Sequence, residues 1–440
     1  MSPLAPPQKH AVYRLSVARM IAVLGAEAGF VALVATTFQR THSATWGSIA
    51  LLAAIATGGL VSPIAGTLGD RYDRRRVIVA SELATAVCTA ALAFATAPWL
   101  IVVFAAIGAI AQAPLMAASQ AAIPNLVPEE HIVWANAVRT RANSAGFMLG
   151  PVVGGGLVAW LGTSPVFLAN AMTFIISAVL TWSVRGSFNE ERSERDRHGV
   201  TAGFGFIWHD RILRTILAAW FVSLLGVGAL LVAEYPLAQS FHMGSIGYGL
   251  LIGFWGGGTL LGTLVAERVV IRTIYWSLVA GLGVMSIMLG AVALAPWFAM
   301  ICVTQVIGGI ADSHVNVAEQ TIVQRRVPDE LRSRVFAANE AIVLAALGLS
   351  MAAGGPLVDA FGPRAAYGLT GASGVIATVI LAFGVRELRA LGADEHAVAV
   401  DASVVRSDPH AAVLGTATVV DTELPTVPRT AQDNGSRIAV

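Results

Sequence analysis

Ionisable side chains occur inside long apolar stretches of this sequence, and Glu27 is the most isolated of them. Its neighbours read VLGAEAGFVAL and include no cation. A lone acid at a bilayer centre costs about 2.5–3.5 kcal/mol on insertion scales, so its presence indicates function. Such a carboxyl group could carry a proton between the two sides of a membrane, or bind a cationic substrate. The alternative is a structural ion pair with an arginine such as Arg19 or Arg141.

A second set of polar residues follows one face of the stretch 297–321. Spacings of seven, four and three residues place its members on one side of a helix: Gln305, Asp312, Asn316 and Glu319. We expect this stripe to face a cavity rather than lipid. Asp312 is therefore the second candidate for proton coupling or substrate binding.

Other polar residues in apolar stretches complete the candidate site. Gln112 and Ser119 lie on the corresponding face of the stretch 98–120. Glu234 and Glu340 lie nearer to the ends of their stretches, where a gating or snorkelling role is the alternative to coupling. The candidate proton-coupling and substrate residues are Glu27, Asp312, Glu234, Gln112, Asn316 and Glu340.

Residue counts exclude several kinds of chemistry. Lys9 is the only lysine, so the chain has neither a P-loop lysine for ATP nor a Schiff-base lysine. Cys88 and Cys302 lie in apolar stretches, and neither has a Cys or His partner at metal-ligand spacing. We interpret both cysteines as packing residues, and Trp255 likewise, with stacking on a substrate as its alternative. We expect no catalytic residue, no metal and no cofactor.

The elements that hold these residues must be membrane-spanning helices. Hydrophobic residues make up 56% of the 440 residues, and charged residues make up 12%, about half the share found in soluble domains. A soluble globule of this composition could not cover its surface with polar groups. The net charge of +1 provides no field that would attract nucleic acid. The composition therefore excludes a cytosolic enzyme, a disordered chain and a nucleic-acid binder.

Twelve stretches are long and apolar enough to cross a bilayer, which requires about 20 residues each. They are 15–38, 46–68, 77–96, 98–120, 138–161, 164–184, 215–239, 245–266, 274–295, 297–321, 335–358 and 365–385. These stretches divide the chain into a leader (1–13), a six-helix bundle (14–184), a linker (185–214), a second six-helix bundle (215–388) and a tail (389–440).

The loops predict the orientation. Arginines concentrate in alternate loops, including 71–76, the linker and 325–334. Cytoplasmic loops collect positive charge, so we expect both termini in the cytoplasm of a cell whose plasma membrane the chain crosses many times. The second part of the linker mixes apolar and charged residues, which is typical of an amphipathic segment on a membrane surface. The tail has no periodicity, and we expect it to be disordered.

The two halves of the sequence repeat one another. A shift of 200 residues aligns VPEE at 127–130 with VPDE at 327–330, and Gly162 with Gly362. Further matches are IGAIAQ (107–112) with IGGIAD (307–312) and, at a shift of 197, SIALLAAIATGG (48–59) with SIGYGLLIGFWG (245–256). Two such bundles around a pseudo-axis place a cavity at the membrane midplane, and rocking exposes that cavity to alternate sides.

Small residues mark one face of the stretch 138–161. Gly146, Gly150 and Gly154 recur every four residues, so a neighbouring helix can approach them to backbone contact. Pro151 removes one helical hydrogen bond and permits a kink at the same place. This contact could act as a hinge, and static packing is the alternative.

Two motifs resemble the major facilitator superfamily. The first is GTLGDRYDRRR at 66–76, which is similar to the family's loop after the second helix and matches it at Gly66, Leu68, Asp70, Arg71, Arg74 and Arg75. Asp73 replaces the usual glycine of that loop. A carboxylate among arginines could latch the two halves together, and plain positive-inside charge is the alternative. The second motif, GFMLGPVVGG, resembles the signature of exporters that exchange substrate for a cation and comprises Gly146, Gly150, Pro151, Gly154 and Gly155.

The resemblance implies an all-α membrane protein with twelve transmembrane helices in two pseudo-symmetric six-helix bundles. It also implies a monomer that exports an amphipathic small molecule, drug-like or a siderophore, in exchange for protons. A proton gradient would replace ATP and any cofactor. The arginine of the family's proton exporters in the fourth helix is absent, and Gln112 or Ala111 occupies that region. The alternatives are a proton-coupled importer of a small nutrient and a transporter-like receptor that moves nothing.

Overall fold

The computed structural model describes residues 6–122, 126–184, 188, 201–270 and 274–386, which form α-helices and a 3₁₀ turn, with no strand among them. Twelve of the helices are long and apolar enough to span a membrane, as predicted. The helices are α1 (Pro6–Thr41), α2 (Ala44–Arg71), α3 (Arg74–Phe94), α4 (Pro98–Ala122), α5 (Ile132–Leu161), α6 (Thr163–Ser183), α7 (Thr201–His209), α8 (Arg211–Ser240), α9 (Gly244–Val270), α10 (Ile274–Val292), α11 (Phe298–Arg326), α12 (Asp329–Phe361) and α13 (Pro363–Gly384).

The helices form two bundles that pack in the same way. In the first bundle α1 packs on α5 and α6, α2 on α4, and α3 on α4 and α6. In the second bundle α8 packs on α12 and α13, α9 on α11, and α10 on α11 and α13. The turns between helices repeat as well. His42 and His242 have φ values of 49° and 59°, and Gly162 and Gly362 have φ values of 84° and 80°. The predicted pseudo-symmetry of two six-helix bundles is therefore confirmed.

Close helix contacts hold each bundle together. A Cβ atom on Gly154 would lie 2.5 Å from Ala28 Cα, so α5 and α1 meet at backbone distance. Gly354 meets Ala229 in the same way, which joins α12 to α8. Lipid supplies no hydrophobic drive between helices, so such small-residue contacts replace it. Because Ala28 and Ala229 occupy equivalent places in these contacts, α1 corresponds to α8 at a shift of 201 residues.

Several helices extend beyond the expected stretches, among them α5 and α12, which each begin six residues earlier, at Ile132 and Asp329. The first helix begins at Pro6, so residues 6–13 of the expected leader are helical. The helix α8 begins at Arg211, because the Asp210 carboxylate accepts hydrogen bonds from the Ile212 and Leu213 N–H groups at 2.9 and 3.0 Å. In the linker, α7 occupies the segment expected to be amphipathic, and 185–187 and 189–200 lie outside the described residues. The expected tail also lies outside them.

The two bundles contact each other mainly through two helix pairs, α5 with α9 and α2 with α12, with smaller contacts of α1 and α2 on α8 and of α1 on α9. At one end of the molecule, Asp359 of α12 meets the first turn of α2, and we call this the Asp359 end. The opposite end, where α6 ends and α8 begins, is the linker end. Ser48 donates a hydrogen bond to the Met351 carbonyl, and Gly155 packs on Ser245. These contacts between the bundles lie in the half of the molecule that includes the Asp359 end.

Candidate functional site

A cavity of about 490 Å³ lies between the two bundles. Its wall is mainly apolar and aromatic, and it includes Phe30, Phe147, Trp220 and Trp255. The ionisable groups that line it are Glu27, Glu234 and Asp312. No basic side chain lines it among the residues that the structure describes. The cavity therefore combines three side chains that can carry negative charge with a surface that suits an apolar molecule.

Helix α1 presents Glu27 to this cavity from the first bundle. Within the described ranges the Glu27 carboxyl group has neither a hydrogen bond nor an ion pair. Arg19, one of its two possible partners, donates instead to Met116 Sδ at 2.9 Å, and Arg141 is exposed. The alternative of a structural ion pair is thus not what the described residues adopt.

Helices α8 and α11 present Glu234 and Asp312 from the second bundle. Glu234 is 5% exposed. The Asn316 Nδ2 group donates to Asp312 Oδ1 at 2.9 Å and to the Asp312 carbonyl at the same distance. Asn316 therefore orients Asp312 and does not itself line the cavity. Gln305, the first residue of the predicted stripe, does line it.

Gln112 does not join the other candidates. It lies in a separate cavity of about 130 Å³ inside the first bundle, together with Thr85, Thr89 and Asn170. Helix periodicity placed Gln112 on a polar face of α4, but that face points into its own bundle because α4 packs on α2 and α3. Phe30 lines both cavities and stands between them.

Glu340 is exposed on α12 and does not line the central cavity. It lies one helical turn from Leu344, whose Cδ1 would be 3.2 Å from a Cβ atom on Gly59 of α2. Residues four apart share a helix face, so Glu340 points along the side of α12 that faces the first bundle. This position fits the interface between the bundles rather than the cavity wall.

Two further acids were not among the candidate site residues, and one of them, Glu319, does not line the central cavity although its place in the polar stripe predicted that it would. Glu319 accepts a hydrogen bond from Trp220 Nε1 at 2.6 Å and a long one from Asn339 Nδ2 at 3.5 Å. Glu82 accepts one from Ser177 and shares a small cavity with Arg19. The signal for Glu82 was the same as for Glu27, an acid within an apolar stretch. Trp255, expected to be a packing residue, lines the central cavity.

The glycine face of α5 supports the helix that carries Glu27. Gly146, Gly150 and Gly154 all pack on α1, as their spacing predicts. The neighbouring face, with Pro151 and Gly155, packs on α9 of the second bundle. Helix α5 is therefore wedged between its own bundle and the other one.

The predicted gating loop is described only in part. Helix α2 continues through Gly66 and Asp70 to Arg71, whose side chains lie outside the described part of the structure. Asp73 caps α3 by accepting a hydrogen bond from the Arg76 N–H at 3.0 Å, so a carboxylate takes the place of the usual glycine. Arg74 donates to the Phe188 carbonyl, and Arg75 lies 4.7 Å above the Phe188 ring. The loop is thus joined to the linker, and the latch remains a prediction.

Sequence comparisons with known proteins support the transporter fold and the transporter class. Residues 15–233 and 216–420 each match the family model of the Major Facilitator Superfamily. Over 397 residues the sequence is 25% identical to the multidrug efflux pump Tap of Mycobacterium tuberculosis, which covers 85% of this chain and 93% of that pump. The pump of the same name from Mycolicibacterium fortuitum is 26% identical over 374 residues, covering 79% of this chain and 90% of the pump.

Solved structures show the same fold at low sequence identity. A bacterial homologue of the human lysosomal transporter Spinster has a TM-score of 0.68 at 16% identity, covering 86% of this chain and 96% of that one. A bacterial homologue of the iron transporter ferroportin has a TM-score of 0.66 at 17% identity, covering 84% and 97%. The nucleoside transporter NupG has a TM-score of 0.68 at 12% identity, covering 86% and 99%.

Proposed function

Because this chain belongs to the Major Facilitator Superfamily, we propose that it is a secondary active exporter of amphipathic cations driven by proton antiport. The observation that carries the proposal is the charge of the central cavity: three acids and no base among the described lining residues, within an apolar and aromatic wall. A cavity of about 490 Å³ falls in the range of drug-sized sites. Cationic drug-like compounds fit this cavity better than anionic siderophores do.

The arrangement supports alternating access. We expect the linker end and both termini in the cytoplasm, because arginines concentrate in the loops at that end, and we expect a monomer in the plasma membrane. The contacts between the bundles at the Asp359 end then close the outer side, so the cavity receives substrate from the cytoplasm. Rocking the bundles about α5 and α2 would open the outer side. Protons arriving there would bind to the acidic cavity and release the cation.

Export rather than import is favoured by two features. The glycine–proline motif of α5 resembles the exporter signature, and relatives that cover most of this chain are named multidrug efflux pumps. The energy source is the proton gradient together with the membrane potential, which supplies about 2.3 kcal/mol per charge for every 100 mV. No ATP and no cofactor are needed.

Everted membrane vesicles containing the full-length protein test this function. With an acidic interior, we expect the vesicles to accumulate ethidium, and we expect added ethidium to release protons from the lumen, as reported by a pH-sensitive dye. Proton release into the external medium together with loss of a nutrient from the lumen would indicate an importer. No flux with any organic cation, while ligands still stabilise the purified protein, would indicate a receptor.

A further inference from the structure

The polar groups around the cavity lie at two depths. Glu27 and Asp312 are each 14 residues from the helix end nearest the Asp359 end, which is about 21 Å at the rise of an α-helix. Glu234 is six residues from the end of α8, which is about 9 Å. Three further polar residues lie four to seven residues from the same ends of their helices, and with Glu234 they form what we call the Glu234 tier: Glu234, Tyr248, Gln305 and Tyr367.

The Glu234 tier contains oxygen atoms without hydrogen-bond partners. The Tyr248 and Tyr367 hydroxyl groups and the Gln305 Oε1 atom have none within the described structure, although these residues are 0%, 0% and 1% exposed. Helix α8, which carries Glu234, packs on α9 and on α13, which carry the two phenols. An unpaired buried polar group costs about 1–3 kcal/mol, so several of them in one layer indicate a ligand or a partner acquired during function.

The internal repeat shows that packing does not require these polar groups. At the shifts that relate the two halves, the Glu234 tier corresponds to four apolar residues of the first bundle: Leu33, Leu51, Ala105 and Phe167. All four are buried in the core of the protein. The same layer of the same fold is therefore filled by ordinary apolar side chains in one half. In the other half it carries an acid, two phenols and an amide.

A second polar layer covers Glu234 toward the Asp359 end. The Tyr235 hydroxyl accepts hydrogen bonds from Gln39 Nε2 at 2.9 Å and from Gln239 Nε2 at 3.1 Å. Both glutamines are exposed. The Tyr235 and Tyr248 rings meet edge to face with centroids 5.9 Å apart. Exposed glutamines at the Asp359 end are thus hydrogen-bonded to Tyr235, the residue next to the buried acid.

Building on the exporter function above, we propose that Glu234 binds the coupling proton, while Glu27 and Asp312 bind the charge of the substrate. In the ionised state, the Tyr248 and Tyr367 hydroxyl groups donate to the Glu234 carboxylate. In the protonated state, the Glu234 O–H donates to Gln305 Oε1 or to a phenol oxygen. The proton comes from water at the Asp359 end when that end opens, and it leaves through the cavity when the linker end is open.

Among the side chains that the structure describes around Glu234, none is a competing cation. Helix α1 presents Glu27 and α11 presents Asp312, both deeper in the cavity. Helices α9 and α13 present the two phenols. Asp359, on α12, is bonded to α2 at the tip of the molecule. A proton bound at Glu234 therefore faces only acids and neutral donors in the described surroundings.

Proteoliposomes separate the two roles. Glu234→Gln should reduce ethidium uptake driven by a pH gradient at least about tenfold, while ethidium–ethidium exchange, which moves no net proton, stays near wild type. Glu27→Gln should instead weaken ethidium binding by about tenfold or more and reduce both activities. Glu130→Gln, in the exposed turn before α5, is the matched control. Wild-type gradient-driven uptake in Glu234→Gln would overturn the proposal.

The phenols are tested by isosteric variants. Tyr248→Phe and Tyr367→Phe each remove one oxygen, and the second recreates the residue that the first bundle has at Phe167. Each should move the pH midpoint of uptake to a more alkaline value, because the ionised carboxylate loses a donor, and ethidium affinity should not change. Tyr13→Phe, an exposed position, is the control. An unchanged pH midpoint in both variants would remove the phenols from the site.

A measurement without substrate distinguishes failure of this inference from failure of the exporter function. Purified wild-type protein and Glu234→Gln are taken through the same pH step, and a soluble indicator counts the protons taken up. The variant should take up fewer protons, and the infrared band of its protonated carboxyl groups should be weaker. If ethidium is not transported at all, the exporter function fails, yet this difference still decides whether Glu234 titrates. Identical proton counts would overturn the proposal.

Discussion

Gly150 of α5 packs directly against Glu27 of α1, so that a Cβ atom at residue 150 would lie 2.5 Å from Glu27 Cβ and 2.9 Å from the Leu24 carbonyl oxygen. Helix α5, which carries the glycine–proline motif, therefore packs directly against the Cβ atom of the residue that presents a carboxyl group to the cavity. Its neighbouring face meets α9 of the second bundle through Gly155. Any bend of α5 during rocking therefore moves the position of Glu27 and the contact between the bundles together.

Replacing Gly150 tests this relationship. Gly150→Leu should force α1 and α5 apart, with a packing cost of about 1–3 kcal/mol, and should abolish turnover because Glu27 is displaced and α5 loses its close contact. Ethidium efflux per amount of purified, reconstituted protein is the measurement. Gly156→Ala on the same helix is the control, since nothing lies within 4 Å of a Cβ atom there. Undiminished efflux by Gly150→Leu would show that the glycine face is only filler.

Glu27 itself provides the second prediction. Glu27→Gln keeps the size of the side chain but removes its charge, so ethidium efflux should collapse while the protein still inserts and purifies normally. Efflux by proteoliposomes and elution from a sizing column are the two measurements. Asp312→Asn should have a smaller effect, because Glu27 would still supply a carboxylate to the same cavity. Wild-type rates in Glu27→Gln would exclude this acid from the mechanism.

The sequence was informative wherever a feature repeats along one helix. The four-residue spacing of the α5 glycines predicted the close contact with α1 that is observed, and Glu27 lines the cavity, while its coupling or substrate role stays a prediction. Periodicity gives the face of a helix but not the space into which that face points. For this reason Gln112 was a candidate site residue from its helix face alone, although it lies in a separate cavity inside the first bundle.

Contacts between helices that are far apart along the chain could not be predicted from the sequence. Trp220 and Glu319 are 99 residues apart, and only the packing of α8 near α11 joins them. Tyr248 and Tyr367 lie in apolar stretches where a tyrosine is typical of ordinary core packing. Their unpaired hydroxyl groups become visible only when all neighbours are in place. The missing information was therefore tertiary contact, not the type or position of the helices.

A third prediction concerns the closed end of the molecule. The Asp359 carboxylate of the second bundle caps α2 of the first, accepting from the Ala44 N–H at 2.6 Å, the Thr45 N–H at 3.0 Å and the Ser43 and Thr45 hydroxyl groups at 2.7 and 2.6 Å. A cap is worth about 0.5–2 kcal/mol, and this one exists only while the bundles are in contact. It therefore stabilises the state in which the Asp359 end is closed.

Asp359→Ala should shift the population toward the state with that end open, by several-fold or more. Spin labels at the exposed residues Ile49 and Ala360 would report a longer and broader distance distribution by pulsed electron resonance. Ser43→Ala removes one of the donors and should give a smaller shift in the same direction. Equal distributions in Asp359→Ala and wild type would mean that the cap does not hold this end closed.

The last prediction concerns the corner between the linker and the second bundle. Asp210 has two functions there, since its Oδ1 atom caps α8 and its Oδ2 atom pairs with Arg326 Nε at 2.9 Å. Arg326 is partly exposed, and a pair of this kind contributes at most about 1 kcal/mol, whereas loss of an N-cap costs about 0.5–2 kcal/mol. Asp210→Ala should therefore lower the melting temperature of the purified protein more than Arg326→Ala does. Asp210→Ser, which keeps a capping oxygen but not the charge, should match Arg326→Ala. If Arg326→Ala proves as destabilising as Asp210→Ala, the ion pair and not the cap fixes the start of α8.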